Sequence, residues 1–195
     1  MCSSDLFSAG STSTTPAPIF DAETYLAKAK AMGAEAILLL PVGRSTREAI
    51  KVLKIRASDY PELDVISDTA LYNLNTLKAG SQTRGLVMIV PWQESESMPQ
   101  FSTGAKQLWN TQVNWATATS YNAVKAMGAA IKSQEQPSRA GVMNLLSKNE
   151  FMGASGRFQF KSGESTGRYV LVQVVPTPPN YKYSSSVGYD FVPVE

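Results

Sequence analysis

Three short apolar runs, each preceded by a stretch with helical periodicity, constrain the fold of this 195-residue chain more than any other feature. The runs occupy 36–41, 63–66 and 85–91, and each is too short to favour a helix. The first run is apolar on both faces, which predicts a strand buried in a parallel sheet. Helix and strand alternating three times is typical of a parallel α/β sheet with right-handed crossovers.

Local signals place the helices. Asp21 is a predicted N-cap for a helix that Gly33 ends. Ser45 and Glu48 have the spacing of a capping box at the start of the second helix. A short helix is expected at 73–79. Apolar stripes predict three later helices, at 101–109, 117–131 and 139–146.

Two extended runs near the end of the chain, 157–161 and 170–175, flank the polar stretch KSGESTG. This arrangement predicts a hairpin, and the second run is apolar on both faces, as expected for a strand covered on both sides. The predicted fold is therefore α/β, a three-layer sandwich with a mainly parallel sheet and a late C-terminal hairpin.

The chain divides into one domain and two flanking segments. Residues 1–18, rich in Ser, Thr and Pro, are expected to be a disordered leader, and 177–195 an extended tail on the surface. The domain itself is expected at 19–176. The opening MCSSDL has no periodicity and resembles the translated remnant of a sequencing adapter, so we expect a truncated gene.

Composition excludes several classes of function. The chain contains no histidine, which excludes histidine-ligated zinc and Ser-His-Asp catalysis. A formal charge of +2 leaves no electrostatic footprint for nucleic acid or a membrane surface. The single cysteine, Cys2, cannot form an internal disulfide, and no apolar run reaches the length of a membrane span. The glycines at 153–156 precede a strand rather than a helix, so no phosphate loop and no cofactor are expected.

Small molecules bind open α/β sheets beyond the carboxyl ends of the strands. Here those segments would present the side chains Arg44, Ser45, Asp68, Thr69 and Trp92. Tyr72, four positions after Asp68, is a further candidate. The mixture suits a small polar or zwitterionic molecule, because Asp68 can take an ammonium, Arg44 a carboxylate and Trp92 an apolar part.

Each of these residues also has an ordinary structural role. Asp68 can cap a helix or form an Asx-turn, and Arg44 can be a solvated loop charge. Ser45 can cap its own helix, and Trp92 can close the edge of the core. The hypothesis of a site therefore depends on their joint placement.

A serine-enzyme alternative rests on two motifs. Ser120-Tyr121-Asn122 and Lys161-Ser162-Gly163 match two of the three motifs of penicillin-binding serine hydrolases. The third is missing, since no serine is followed three positions later by lysine, and the nearest match is Thr103 with Lys106. Tyr121 and Val124 also fall on one apolar stripe of the predicted helix, which favours a structural role for Ser120-Tyr121-Asn122. We therefore expect a protein that is not an enzyme.

Five segments together resemble the second lobe of type I periplasmic binding proteins, in the leucine/isoleucine/valine receptor group of ABC importers. They are AETYLAKAKAMGAEAILLLP, VISDTALYN, GLVMIVPW, ATSYNAVKAMGAAI and GASGRFQFKSGESTGRYVLVQVVP. The last is the most specific, with its Gly-x-x-Gly-x-Φ-x-Φ strand (Φ apolar), polar turn and Val-rich strand. The resemblance spans about 19–176.

The resemblance implies the substrate-binding component of an ABC transporter, periplasmic or extracellular, that binds an amino-acid-like solute between two lobes. A missing N-terminal lobe and a membrane permease would be its partners. Asp68 falls where relatives carry an acidic residue that meets the ligand ammonium, although Thr69 replaces the glycine that often follows. Arg44 and Ser45 fall where relatives place an aromatic or hydroxyl contact. The same lobe pair also implies an alternative, the ligand-sensing domain of a signalling receptor.

Overall fold

A computed structural model describes residues 20–42, 45–94, 99–110 and 113–194. The predicted leader, including Cys2, lies outside these ranges. The described helices are α1 (Ala22–Ala31), α2 (Thr46–Asp59), α3 (Leu74–Lys78), α4 (Pro99–Trp109), α5 (Trp115–Lys132) and α6 (Arg139–Lys148). Each predicted helix therefore has a counterpart. Asp21 caps α1 as expected, because its side chain accepts a hydrogen bond from the Thr24 amide at 3.2 Å.

The strands form two sheets. The larger has the order β1-β2-β3-β7-β8 and is built from β1 (Ala36–Leu39), β2 (Asp64–Ser67), β3 (Val87–Val90), β7 (Val170–Pro176) and β8 (Tyr189–Pro193). The smaller contains β4 (Glu150–Gly153), β5 (Gly156–Lys161) and β6 (Glu164–Ser165). The α/β class is confirmed, with parallel strands first and antiparallel strands at the C-terminal end.

Parallel pairing of the first three strands sets the geometry of the domain. Leu39 lies beside Ser67, and Ser67 beside Met88. The Ser67 hydroxyl also donates a hydrogen bond to the Leu39 carbonyl at 2.6 Å. The carboxyl ends of β1, β2 and β3 therefore meet at one edge, as the sequence predicted.

The main core lies between this sheet and the helices α2 and α3. Its fully buried side chains come from both layers: Leu53, Val65, Leu71, Met88, Val90, Val172 and Val174. Helix α1 packs beside α2 and buries Leu26 near the same face. Close-packed apolar burial of this kind supplies most of the stability of a domain of this size.

The opposite face of the large sheet differs from the prediction of a three-layer sandwich. Its apolar side chains Leu38, Ile66, Ile89 and Leu171 are 44–66% exposed, so a third layer over them is absent from the described part of the chain. The expectation that the first strand is buried is wrong for the same reason, and because β1 is an edge strand.

The two late extended runs do not pair with each other, which corrects the predicted hairpin. Strand β5 pairs with β4 and, through a two-residue turn at Ser162 and Gly163, with β6. Strand β7 instead lies antiparallel to β3 and β8. The physical reason is burial: the Val-rich β7 fits inside the large sheet, whereas Phe158 and Phe160 of β5 pack in a separate cluster with α5 and α6.

The expected surface tail is also corrected, because part of it is an edge strand of the large sheet. In β8, Asp190 and Phe191 are both buried, and Phe191 belongs to the main core. The sequence YDFVP alternates too weakly to predict a strand by itself. Pairing with β7 satisfies its backbone and makes it part of the domain.

Truncating Phe191 tests whether β8 belongs to the core. We expect Phe191→Ala to lower the free energy of unfolding by about 3–5 kcal/mol, since it removes a buried ring. The control Val194→Ala changes an exposed side chain three residues later and should cost less than about 1 kcal/mol. Urea unfolding measures both. Equal, small losses would show that the C-terminal segment is not part of the core.

Candidate functional site

A cavity of about 420 Å³ lies at the edge where β2 and β3 end. Four segments form its wall: Tyr72–Leu77, Trp92–Glu94, the start of α5 at Val113 and Asn114, and the C-terminal segment from Tyr181 to Phe191. Its size is within the range of small-molecule sites. Because the segments come from distant parts of the sequence, the cavity exists only in the folded domain.

Stacked and hydrogen-bonded groups hold the C-terminal segment against the sheet. The rings of Tyr72 and Phe191 stack with centroids 4.2 Å apart. The Gln93 Nε2 donates hydrogen bonds to the Phe191 carbonyl at 2.6 Å and to the Tyr181 hydroxyl oxygen at 3.2 Å. The Tyr181 hydroxyl in turn donates to the same carbonyl at 3.0 Å. This network fixes one wall of the cavity.

The Gln93 side chain has a defined orientation. A backbone carbonyl can only accept, so the amide nitrogen must be the atom that faces Phe191. The other end of the amide, Oε1, is buried and has no hydrogen-bond partner among the described residues. An orphan acceptor of this kind is uncommon in a folded protein, so the two hydrogen bonds from Nε2 hold the amide in place at the cost of one unpaired oxygen.

Trp92 joins the cavity to the second part of the domain. Its indole is buried and meets the Phe101 ring edge-on, with centroids 5.6 Å apart. It belongs to an apolar cluster with Ala105, Ala118 and Ala154, which links α4 and α5 to the end of β3. The ring therefore serves as a packing anchor and as part of the cavity wall.

Two carboxylates lie in the wall. Glu94 accepts two hydrogen bonds from the Lys106 ammonium, at 2.7 and 2.9 Å, and this ion pair is partly shielded from solvent. Asp190 is only 2% exposed; its oxygens accept from the Thr177 hydroxyl and the Ser185 amide, both at 2.6 Å. Asp190 adds negative potential at the cavity, whereas the Lys106 ammonium offsets the charge of Glu94.

The tyrosine hydroxyls of the site respond to this environment. Burial raises the pKa of Tyr72 well above its ordinary value of 10.0, and Tyr181, Glu94 and Asp190 raise it further. Burial also raises the pKa of Tyr181, although the hydrogen bond from Gln93 acts in the opposite direction. Both hydroxyls therefore remain protonated at neutral pH.

The structure brings together two of the predicted site residues, Tyr72 and Trp92, in one cavity wall. Asp68 and Thr69 follow β2 at the same edge but do not line the cavity. The Asp68 side chain accepts a hydrogen bond from the Ala70 amide at 2.9 Å and caps the 3₁₀ turn Thr69–Leu71. This is the structural role that the sequence left open, and ligand contact by Asp68 or Thr69 stays a prediction.

The predicted capping role of Ser45 is wrong. Ser45 has helical backbone angles, φ −75° and ψ −3°, so its hydroxyl does not reach the amides of the first helical turn. It instead bonds to the amide and carbonyl of Val42, at 2.6 and 2.8 Å. Arg44 lies outside the described residues, and neither Ser45 nor Val42 lines the cavity.

A second hollow, of about 780 Å³, lies between α2 and α3. Its wall includes the side chains of Arg47, Lys51 and Lys54, which are exposed, and Lys51 pairs with Glu48 at 2.9 Å. Long solvated side chains make a weaker binding surface than a wall of buried and half-buried aromatic rings. We therefore take the first cavity as the candidate site.

The two motifs shared with serine hydrolases have structural roles here. Ser120-Tyr121-Asn122 lies inside α5, and the Asn122 Oδ1 accepts a hydrogen bond from the Ala154 amide at 2.6 Å. Lys161-Ser162-Gly163 forms the turn between β5 and β6, where Ser162 and Gly163 have positive φ. Asn122 thus connects α5 to the small sheet.

The sequence does not predict most of the cavity wall. Gln93 is the neighbour of the predicted Trp92, and the C-terminal Tyr181, Asp190 and Phe191 lie in the segment predicted to be a surface tail. The only signal was the density of aromatic residues in NYKYSSSVGYDF. Aromatic side chains at that density are unusual for an unpacked segment.

Two further properties of the described ranges bear on other kinds of site. None of the helices there combines the length and hydrophobicity of a membrane span. Within the same ranges, no group of three or more Cys, Asp or Glu side chains is placed to hold a metal ion.

Alkaline titration tests the environment of Tyr72. The unfolded chain ionises this hydroxyl near pH 10.0, whereas the folded chain resists ionisation. Its contribution to stability is therefore complete below that pH and is lost as the pH rises further. As the pH rises above 10, we expect the free energy of unfolding, measured in urea, to fall less in Tyr72→Phe than in the wild type. The control Tyr25→Phe changes an exposed side chain and should follow the wild type. Identical pH profiles for all three would contradict a buried Tyr72 hydroxyl.

Comparisons with known proteins agree with this architecture. A structure of the leucine-, isoleucine-, valine-, threonine- and alanine-binding protein of Brucella ovis, in a closed conformation, superposes with a TM-score of 0.73 at 13% identity, over 90% of this chain and 46% of that one. An ABC transporter substrate-binding protein of Sphaerobacter thermophilus gives 0.72 at 17% identity, over 93% and 50%. A leucine-binding protein of Thermotoga maritima gives 0.67 at 15%, over 88% and 47%.

The chain thus spans half or less of the length of each of these structures. At such low identity the likeness shows the fold. No curated protein matches the chain's sequence. The family model for periplasmic binding proteins, however, matches residues 9–177. Since that match covers most of the sequence, the chain belongs to the periplasmic binding protein family.

Proposed function

We propose that this chain is the C-terminal lobe of a solute-binding receptor that serves an ABC transporter and has no catalytic activity. It would hold one side of a small ligand, and a second lobe would close over the other. The observation that carries the proposal is the convergence of Tyr72, Trp92 and Gln93 in one cavity at the carboxyl edge of a parallel sheet.

The cavity supports binding rather than chemistry. Its wall is mostly aromatic and amide side chains, and the hydroxyls of Tyr72 and Tyr181 are held in the protonated form. Such groups orient and cover a ligand. We propose an amino acid or a similar small polar solute, since relatives of the same fold include leucine-binding proteins.

The open side of the cavity supports a second lobe. Leu74 lines the cavity and is 46% exposed, so one wall faces solvent. The side of a bound ligand that faces away from this cavity would stay in contact with solvent until further polypeptide covers it. Closure of two lobes about a hinge provides this, and contacts on both sides then shift the balance toward the closed form. A membrane permease would read that form, in the periplasm or outside the cell.

The uncovered face of the large sheet supports the same partner. Strands in parallel sheets are normally covered by helices on both faces, yet two adjacent pairs, Leu38 with Ile66 and Ile89 with Leu171, are exposed. Soluble proteins rarely leave such apolar surface exposed. We propose that the N-terminal part of the longer protein covers it.

The handedness of the crossovers indicates where a strand from that N-terminal part would join the large sheet. Helix α1 packs beside α2 on the same face of the sheet. Because crossovers between parallel strands are right-handed, a strand joined to the start of α1 would lie on the side of β1 away from β2. That edge of β1 pairs with no described strand. It is the position at which an additional parallel strand fits.

Filling the cavity tests the site. In a longer protein that contains both lobes, Leu74→Trp should weaken solute binding by about tenfold or more, because the indole would occupy the open side of the cavity. Leu108→Trp is the matched control, since Leu108 is 73% exposed on α4 and lies outside the wall. Calorimetry with a panel of amino acids and aromatic acids measures both. Unchanged affinity for Leu74→Trp would remove the cavity from the binding site.

Charging the open sheet face tests the missing partner. We expect Leu38→Lys with Leu171→Lys to destabilise the longer protein by about 3–6 kcal/mol, the transfer free energy of two buried leucines, and to have little effect on the 195-residue chain. Val124→Lys, at an exposed position of α5, should have little effect on either protein. Small effects in both proteins would show that this face stays open.

A further inference from the structure

We propose that the second hollow, between α2 and α3, docks an acidic segment of a protein partner outside this chain. Three exposed cationic side chains lie in its wall, Arg47, Lys51 and Lys54, and we call it the basic hollow. The inference goes beyond the proposed function, because it concerns a protein partner and a hollow other than the candidate solute site. The two proposals can therefore fail separately.

The three cations lie on one line along α2. Positions 47, 51 and 54 are separated by four and three residues, which places their side chains on the same face of a helix. Seven residues of helix span about 10 Å. An extended chain covers that distance in about three residues. Carboxylates three positions apart in an extended partner segment can therefore meet Arg47 and Lys54 together.

Most of this positive charge is not neutralised within the described part of the chain. Arg47 and Lys54 form no ion pair or hydrogen bond with a described residue. Lys51 pairs with Glu48, which supplies the one carboxylate that the described residues place in the wall. Three cations and one carboxylate leave a net charge of +2. An exposed pair such as Lys51 with Glu48 is weak, so Lys51 can exchange its partner.

The start of α2 adds to the positive potential. The Ser45 hydroxyl bonds to Val42, and the first turn of α2 has no side-chain cap. Thr46 and Arg47, the first two residues of the helix, line the hollow. Amides at the start of a helix have no partner within the helix and carry partial positive charge, which attracts carboxylates.

The chemistry of the basic hollow favours a protein segment. Its cations are on long solvated side chains, which hold a small ion weakly but complement the carboxylates of a peptide. Three cations over about 10 Å also fall short of the long basic surfaces that bind nucleic acid or membranes. The half-buried Ile50 adds apolar contact beside the charges.

The basic hollow borders the candidate solute site. Asn73 lines both, so α3 separates the two. The wall of the first cavity contains Asp190 and, among the described residues, no lysine or arginine. An acidic segment is therefore attracted to one side of α3 and repelled from the other. It would lie beside the solute site without entering it.

A matched pair of peptides tests the charge. One peptide carries four glutamates at every third position among glycine and serine, and the other has glutamine at those four positions. We expect the 195-residue chain to bind the glutamate peptide at least about fivefold more tightly, as measured by fluorescence anisotropy at low ionic strength. The affinity should fall as salt is added. Equal affinities, or no binding of either peptide, would overturn the inference.

Matched double variants locate the docking surface. Arg47→Gln with Lys54→Gln removes two cations seven positions apart, and we expect the glutamate peptide to bind about fivefold more weakly. Lys125→Gln with Lys132→Gln removes two exposed cations at the same spacing on α5, outside the basic hollow. This control should leave the affinity unchanged. Equal losses in the two double variants would contradict the proposal, because the peptide would then respond only to the net charge.

Removal of the carboxylate is a test of opposite sign. Glu48→Gln releases Lys51 and makes the basic hollow more positive, so we expect the glutamate peptide to bind about twofold more tightly. Damage to the fold would not produce such a gain. Unchanged or weaker binding by Glu48→Gln, with native unfolding behaviour, would count against docking at this surface.

Other occupants are separated by two further measurements on the 195-residue chain, sedimentation with vesicles that contain phosphatidylglycerol and titration with inorganic phosphate. We expect neither to bind as tightly as the glutamate peptide. If either does, and Arg47→Gln with Lys54→Gln abolishes that binding, the assignment to a protein segment is wrong. The receptor function is decided by solute binding in the longer protein, so it stands whichever result is found here.

Discussion

The parallel pairing of β1, β2 and β3 is the constraint on which the rest of the structure depends. It sends the three strand ends to one edge, and it places Tyr72 and Trp92 within reach of each other although 20 positions separate them. The hydrogen bond from the Ser67 hydroxyl to the Leu39 carbonyl reinforces this alignment. The cavity residues that follow β2 and β3 acquire their positions from the edge so formed.

The C-terminal segment completes what the parallel strands begin. Strand β8 pairs with β7, and the bonds from Gln93 and Tyr181 to the Phe191 carbonyl hold it against the end of β3. The result is a cavity with one wall from the sheet edge and one from the last residues of the chain. Removing either wall would leave only an open surface, so the packing of the C-terminal segment and the shape of the cavity depend on the same contacts.

The two faces of the large sheet differ in burial. One buries a continuous apolar core under α2 and α3, and the other leaves leucine and isoleucine side chains in solvent. We propose that this exposed apolar surface is half of an interface. The match to half or less of longer structures supports the same proposal, that the domain is one lobe of a larger protein.

The sequence by itself determined the helices and the alternating order of helices and strands as far as β3, because caps, turns and periodicity depend on residues a few positions apart. It also indicated Tyr72 and Trp92. Only the tertiary structure decided that β7 pairs with β3 and β8 instead of β5, that one sheet face stays open, and that Gln93 and Asp190 join the cavity. Those outcomes depend on contacts between residues as distant as Gln93 and Phe191, and local pattern carries no information about which distant partner a strand or side chain will meet.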